Sequence, residues 1–551
     1  MRRATLAATL TGGLAALVLT GTPAPAAPAA PPTVERSPLT TATSYRNPVS
    51  RDFADTFADP AVIRGKDGWW YAYGTTDPLR EGERTHHPIP IARSRDLVTW
   101  VYVRDAFAAA TLPKWAAADA ALWAPDIRYV DGQYRMYYVV TQTAVGPAGN
   151  VNDNAIGMAT APTPVGPWTD SGAPVVGPRP GASGNPDDFL WTFDPTAVTN
   201  TDGTQWLFYG SYYGGIFATR LSADGRTPVG TPTQVAIDNK FEGAYVVRRG
   251  GYWYLFASTA NCCAGPTTGY SVHVGRSRFI TGPYVDREGV PLTQSRAGGT
   301  PTLVQNGNAW IGAGHNAVAT DLAGQDWIVY HAIDRADPYL DGTDGVNERP
   351  MLLDRLDWVD GWPAVRAGRG PSEGRRPGPA TGGHWVTGFG NGIPGQWDAS
   401  GSWAGRTDPQ AGGFAYARRA GGLLSRPVAR HLRVEADLRS TGAAYGLTAR
   451  YGATTVTALI DPGRGTLRLA ERRRGQAVAS TFSRLPAGFR PEAWHAVSLQ
   501  IRSGVATATV THARLGDPIA IASLALRGAD GRGSGGAVAR GAGVGVDNLS
   551  V

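Results

Sequence analysis

A loose unit recurs through the first two thirds of the chain, and it restricts the fold more than any other feature. Each copy opens on a short polar step with Pro or Gly and an apolar strand. A Gly-containing turn and an aromatic strand follow. Asp59-Pro60-Ala61-Val62-Ile63 leads through Lys66-Asp67-Gly68 to Trp69-Trp70-Tyr71-Ala72-Tyr73. Ala124-Pro125-Asp126-Ile127 leads through Asp131-Gly132 to Tyr134-Arg135-Met136-Tyr137-Tyr138. Asp194-Pro195-Thr196-Ala197-Val198 and Glu242-Gly243-Ala244-Tyr245-Val246 open two more units, and Gly299-Thr300-Pro301-Thr302-Leu303 opens a fifth that passes through Asn306-Gly307. Asp-Gly and Asn-Gly pairs are the strongest hairpin turns available. Closing strands such as Ile91-Ala92-Arg93-Ser94 follow. No segment holds a helical period. Five such units, spaced by about 50–70 residues, predict a five-bladed β-propeller. Three ordinary sandwiches would fit the length, but they would not repeat an acid-and-strand step at four successive unit starts.

At 551 residues the chain exceeds one compact core. The expected division is a signal peptide at 1–26, a disordered lead-in at 27–46, the propeller at 47–371, a Gly-, Pro- and Arg-rich linker at 372–383 and a β-sandwich at 384–551. The signal reading rests on Arg2 and Arg3, the apolar stretch from 6 to 19 and Ala24-Pro25-Ala26. That stretch is too short and too weakly apolar to anchor in a membrane, so the protein is expected to be secreted. The sandwich reading rests on alternating runs at 432–438, 444–451, 454–460, 466–470, 494–501 and 505–510. The ending Gly-Val-Gly-Val-Asp-Asn-Leu-Ser-Val is similar to the last strand of laminin-G or concanavalin-like jelly rolls.

The only cysteines, Cys262 and Cys263, are neighbours. In an oxidising compartment they bridge each other, pair with another chain or stay free, and the vicinal bridge is favoured. Formal charge is +7 overall, but residues 384–551 hold 20 Arg, no Lys and 10 acids, a net of +10. The remainder is therefore about −3, which excludes the front part as a polyanion binder. The back part suits acidic polymers or a cell surface, or is a solvated Arg-rich surface without a partner.

In a propeller the first strand of each blade lines the central channel, so its leading residue sits at the channel mouth. Asp59, Asp194 and Glu242 hold that place, with Asp126 shifted by Pro125. Crowded carboxylates repel one another and raise at least one pKa, an arrangement folding alone does not need. Glycosidic cleavage needs one protonated and one ionised carboxyl group. Glu242, the only Glu of the set, with the longest reach and next to Phe241, is expected to be the acid. Asp59 is expected to be the base, and Asp194 to raise and orient Glu242. Sugar rings stack on aromatic faces, and Trp123, Trp191, Phe193, Tyr212 and Tyr213 lie near the acidic steps, although most Trp simply pack.

The segments Phe57-Ala58-Asp59-Pro60-Ala61-Val62, Trp123-Ala124-Pro125-Asp126-Ile127, Phe193-Asp194-Pro195 and Phe241-Glu242-Gly243-Ala244-Tyr245 resemble glycoside hydrolase family 43. So does the stretch from Asn261-Cys262-Cys263 through Val274-Gly275-Arg276-Ser277 to Ile280-Thr281-Gly282-Pro283-Tyr284, and together they look most like the arabinan-cleaving members. The resemblance implies a five-bladed propeller and hydrolysis with inversion, with the base on Asp59, the pKa modulator on Asp194 and the acid on Glu242. Inversion implies carboxyl groups roughly 6.5–9.5 Å apart. The family pattern gives Asp126 no catalytic role, so it is expected to hold structure. In related arabinanases the residue matching His315 helps hold a hydrated Ca2+ or Na+ ion, and Arg349 falls where β-xylosidase relatives place a sugar-contacting Arg. Ala244, where many relatives have Pro, and the Ala-rich stretch 106–121 leave subsite shape open.

The expected function is a secreted inverting hydrolase of α-1,5-L-arabinan or arabinofuranosyl linkages. A β-xylosidase or another furanosidase, such as a galactofuranosidase, is the alternative within the family. A non-catalytic sugar-binding propeller is the alternative outside it. A lectin would repeat its residues in every blade, whereas here Glu occurs once and the fifth unit opens on Gly299-Thr300. The expected partner is a polysaccharide or oligosaccharide. A monomer is expected, with no organic cofactor, nucleic acid or membrane insertion.

Overall fold

The computed structural model describes residues 44–144, 153–183, 188–341, 345–390, 392–513 and 515–551. The expected signal peptide and most of the lead-in lie outside them. Among the described residues no helix is long and apolar enough to cross a membrane.

Five four-stranded antiparallel sheets follow one another along the chain. Their first strands are Ala61–Arg64, Leu122–Val130, Thr196–Thr199, Phe241–Arg249 and Trp310–Thr320. Each first strand packs on the next, and the fifth packs on the first, which closes a five-bladed propeller around a central channel. Ala61–Arg64 and Thr196–Thr199 are buried at every position because neighbouring blades cover both faces. Neither therefore shows the apolar-polar alternation of a half-exposed strand. The outermost strand of blade 1, Trp100–Asp105, keeps exposed polar positions. Tyr73, Tyr134, Tyr138 and Phe256 fill the space between blades with essentially no exposure. A large apolar side chain buried this way contributes about 1.5–3 kcal/mol.

The fifth unit needs correction. Thr300–Leu303 is the outermost strand of blade 4, paired to Ser271–Ser277, and not the inner strand of blade 5. The true inner strand, Trp310–Thr320, carries no leading acid and is irregular between Ile311 and Ala317. Its residue at the mouth is His315.

The lead-in ends earlier than 46. Ser44–Tyr45 pairs with Arg376–Pro377, and the Tyr45 hydroxyl donates to Asp354 Oδ1 at 3.0 Å. Asn47, Tyr330 and the Ser372 backbone N–H also donate to Asp354, and Ala380 N–H donates to Asp321. A buried carboxylate in blade 5 thus gathers both approaches to the propeller, because an unsatisfied buried charge is costly.

Beyond residue 385 the strands join one continuous sheet that folds over itself into a sandwich. Leu438, Leu447, Val456, Leu467, Leu499 and Val546 lie between its layers, and strict alternation along Thr454–Asp461 shows the half-buried period. The sandwich docks on the end of the propeller opposite the mouth, where the first hairpins turn. Lys66 Nζ, with no exposure, meets Asp437 at 3.0 Å and donates to the His512 carbonyl at 2.6 Å. Asn548 donates to the Lys66 carbonyl and to Asp437. Gln410 bridges Tyr129 and the Gly132 carbonyl, and Arg248 N–H donates to the Gly516 carbonyl.

Candidate active site

The chain enters every inner strand through one residue in the left-handed region: Asp59 (φ 51°), Ala124 (φ 44°), Asp194 (φ 54°), Gly243 (φ 57°) and His315 (φ 47°). Such a residue, unless Gly, costs roughly 1–2 kcal/mol, least for Asp. The repeated twist sets what each blade presents at the mouth. Asp59 and Asp194 are themselves the left-handed residues, whereas Glu242 precedes one. Asp126 comes two residues after Ala124 and lies deeper in its strand. There it takes two hydrogen bonds from Arg128, at 2.9 and 2.8 Å, and one from Ala197 N–H at 2.9 Å in the next blade. These contacts tie blades 2 and 3 together.

Asp59 is the most densely held group of the mouth. Its Oδ1 lies 3.2 Å from His315 Nδ1, 3.2 Å from His331 Nδ1 and 3.6 Å from Arg349 Nη1. Its Oδ2 accepts a 2.5 Å hydrogen bond from Thr75, and its backbone N–H donates to His331. Burial pushes the carboxyl up, but the charges of His315 and Arg349 and the His331 contact outweigh it and hold Asp59 well below the usual carboxylate range. Burial also drives both histidines down, His331 to about 4. At neutral pH, then, Arg349 is the group that keeps Asp59 ionised. Arg349 also meets Asp77 at 3.4 Å. Burial, opposed by Arg349, raises Asp77 to about 6.

Glu242 and Asp194 behave in the opposite way. Burial above all raises Glu242, against hydrogen bonds from Tyr270 and Ser211 (3.0 Å), and Asp59 adds its repulsion. Burial, then Glu242 and Asp59, raise Asp194 well above its ordinary value. The two carboxyls titrate as a pair, so the push between them is mutual rather than one-way. Asp194 also accepts the Gly243 N–H at 2.8 Å, which fixes the backbone beside Glu242. One carboxyl is pushed down close to two that are pushed up, the split that general acid and base work requires.

The expected aromatics form one chain of ring contacts from Trp123 to Phe193 (6.0 Å), Phe193 to Trp191 (5.0 Å), Trp191 to Tyr213 (4.7 Å) and Tyr213 to Tyr212 (5.3 Å). Trp123 and Tyr213 are exposed, and Phe193 adjoins Asp194 in sequence, so this wall runs from the acids to the surface. On another blade, Cys262 and Cys263 are joined in a vicinal disulfide, and Asn347 holds their loop. The Ala-rich stretch contributes a short 3-10 turn, Ala109–Thr111, exposed throughout.

Sequence reasoning missed Thr75, Ser211, Tyr270 and His331. Three of them share a signal: a hydrogen-bonding residue on, or just past, the second strand of a blade at the level of the mouth, as in Gly74-Thr75, Gly210-Ser211, Ser258 and His331. Thr75 serves Asp59, Ser211 serves Glu242, and Ser258 accepts the His315 N–H.

An ion at His315 has a limited fit. Its Nδ1 faces Asp59, which leaves Nε2, and hard cations prefer several oxygens. Among the described residues the one trio of ligand atoms within 4.8 Å of one another is Glu81, Asp337 and Glu348, which excludes His315 and the three site carboxyls.

A propeller mouth whose neighbouring carboxyl groups are pushed in opposite directions is the site of a glycosidase. The sequence profile of glycosyl hydrolases family 43 matches residues 45–363, and the chain belongs to that family. It is 32% identical over 335 residues (56% of this chain, 85% of the relative) to the extracellular exo-α-(1→5)-L-arabinofuranosidase of Cellvibrio japonicus (strain Ueda107). It is 30% identical over 316 residues (56% and 86%) to the extracellular endo-α-(1→5)-L-arabinanase 1 of Bacillus subtilis (strain 168). Among solved structures it is similar to the Cellvibrio cellulosa α-L-arabinanase complexed with arabinohexaose, with 30% identity, 56% of this chain and 95% of that chain covered, and a TM-score of 0.46.

Proposed function

We propose that the protein is a secreted, inverting glycoside hydrolase that cleaves α-1,5-L-arabinan or arabinofuranosyl linkages. One observation carries the reading: Arg349 holds Asp59 ionised while burial and Asp59 push the neighbouring Glu242 up. Asp59 takes a proton from the attacking water. Glu242 gives its proton to the leaving oxygen, and inversion leaves space for that water between the two carboxyls. Asp194 orients the Glu242 segment through Gly243 N–H and shares its proton load. Sugar rings lie along Trp123, Phe193, Trp191 and Tyr212, Arg349 contacts the bound sugar, and His315 would hold a hydrated Ca2+ or Na+ through water, which would support the substrate. The two curated relatives act on α-1,5-linked L-arabinose, one named exo and the other endo.

The test is hydrolysis of an aryl α-L-arabinofuranoside followed by NMR, with debranched arabinan and an aryl xyloside beside it. The expected first product is the β-anomer of arabinose, with loss of activity on both substrates in Asp59→Asn and on arabinan, whose leaving group needs the proton, in Glu242→Gln. An α-anomeric first product, or faster cleavage of the xyloside, overturns the reading. The product lengths from arabinan separate endo from exo action.

A further inference from the structure

The outer face of one half of the sandwich has a chemistry the propeller does not use. Four neighbouring strands, Tyr445–Tyr451, Thr454–Asp461, Thr466–Arg473 and Gln476–Arg484, pair in register. Their inward positions fill the core, and their outward positions form cross-strand rows. One row sets Arg468 beside Phe482, the next is Thr448, Thr457, Ala470 and Ser480, and the third is Arg450, Thr455 and Arg472. Arg484 lies at one end. A row of hydroxyls therefore runs between two rows bearing guanidinium groups, with Phe482 64% exposed beside them.

These guanidinium groups are not spent on carboxylates. Among the described residues Arg468 donates to the Ser480 hydroxyl, Arg472 to the Gly475 carbonyl and Arg450 to the Gly452 carbonyl. Of the 10 acids in residues 384–551, Glu435, Asp437, Glu471, Asp517 and Asp547 are buried, so the exposed excess of the 20 Arg is larger than the formal count. Docking runs through Asp437, His512, Asn548, Gln410 and Gly516, off these four strands, and through Pro486 and Ala487 just beyond the last of them, while Arg450, Arg468, Arg472, Ser480, Phe482 and Arg484 stay exposed, so docking leaves this face open.

We propose that this face binds a carboxylated polysaccharide, a polyuronate. Guanidinium groups pair bidentately with carboxylates, Thr and Ser hydroxyls match sugar hydroxyls, and the exposed Phe482 ring offers a surface to sugar C–H groups. A polyphosphate would use the arginines but neither of the other two features. The proposal rests on the reading that the propeller acts on a polysaccharide, to which this face would hold the enzyme.

The test uses the full chain in native affinity gels that contain polygalacturonate, fully methyl-esterified pectin, debranched arabinan, heparin or single-stranded DNA. Wild type is expected to be retarded by polygalacturonate alone, less so as salt rises. Arg468→Glu/Arg472→Glu is expected to weaken that retardation by at least about tenfold, the loss of two charge-assisted contacts, with aryl arabinofuranoside hydrolysis unchanged. Phe482→Ala should weaken it without changing its salt dependence. No retardation, retardation indifferent to the arginine variant, or equal retardation by heparin or DNA overturns the proposal. Retardation that persists in a protein found not to cleave arabinofuranosides supports it and sinks the function reading instead.

Discussion

The two ends of the propeller both bury charge, but they treat it differently. At the sandwich end Lys66 and Asp437 have no exposure and are saturated by each other, by a carbonyl and by Asn548. The two charges of that pair neutralise each other. At the mouth Asp59, Asp194 and Glu242 share one small region, and Arg349 is the cation that stays charged at neutral pH. The first end is organised for stability and the second holds charge under tension. The difference shows that burial alone does not mark a site; like charges left without enough counter-charge do.

Removing tension and removing a pair should therefore have opposite costs. Glu242→Gln should lower kcat on arabinan by about 10²–10⁴-fold and leave the melting temperature equal or higher, since a desolvated carboxyl is lost. Kinetics and calorimetry on one preparation check both halves, and a variant that unfolds early would erase the contrast. Lys66→Met should do the reverse, costing about 3–5 kcal/mol of stability because Asp437 is stranded, with unchanged kcat well below the melting temperature. Lys66→Met/Asp437→Leu should regain most of that loss in denaturant titration.

Smaller changes sharpen the contrast through pH. Arg349→Met should raise the acidic limb of the activity profile by about 1–3 pH units, because Asp59 loses the cation that depresses it. Asp194→Asn should move the basic limb down by about one unit, because Glu242 then titrates alone and no second carboxylate forms beside it to delay the loss of its proton. Either limb moving the other way contradicts the directions in which these groups are shifted.

The smallest effect belongs to the junction. Burial and the Lys66 charge hold His512 at about 3, below its unfolded value, so the unfolded chain binds the extra proton. Stability should fall as pH drops below about 6.5 and continue falling towards the folded value. His512→Gln should flatten that slope in melts taken from neutral to acidic pH.

Much of the fold could be read from strand patterning, since Asp67-Gly68, Asp131-Gly132 and Asp202-Gly203 each close a first hairpin. The fifth blade was misread because Thr300-Pro301-Thr302-Leu303 mimics a unit start, while the true inner strand opens on Trp310 and hides its bend behind Gly312 and Gly314. Asp59, Asp194 and Glu242 could be found because each opens a unit. Their offset by one position could not, because it depends on which residue turns left-handed. His331 and Tyr270 act through packing from neighbouring strands, and the Lys66–Asp437 pair spans 371 residues, so no local pattern announces either.

Below the mouth the channel is corked. Arg128, gripped by Asp126 and Thr196, lies 5.1 Å over the Tyr245 ring, and the Tyr245 hydroxyl reaches the Val318 carbonyl of blade 5. Asp517 of the sandwich closes in from beneath, lining the same small cavity as Arg128. The channel is a blind well, so no polymer can thread through it. Whatever is released must leave by the opening through which its precursor came, and each departure must clear that doorway before the next arrival.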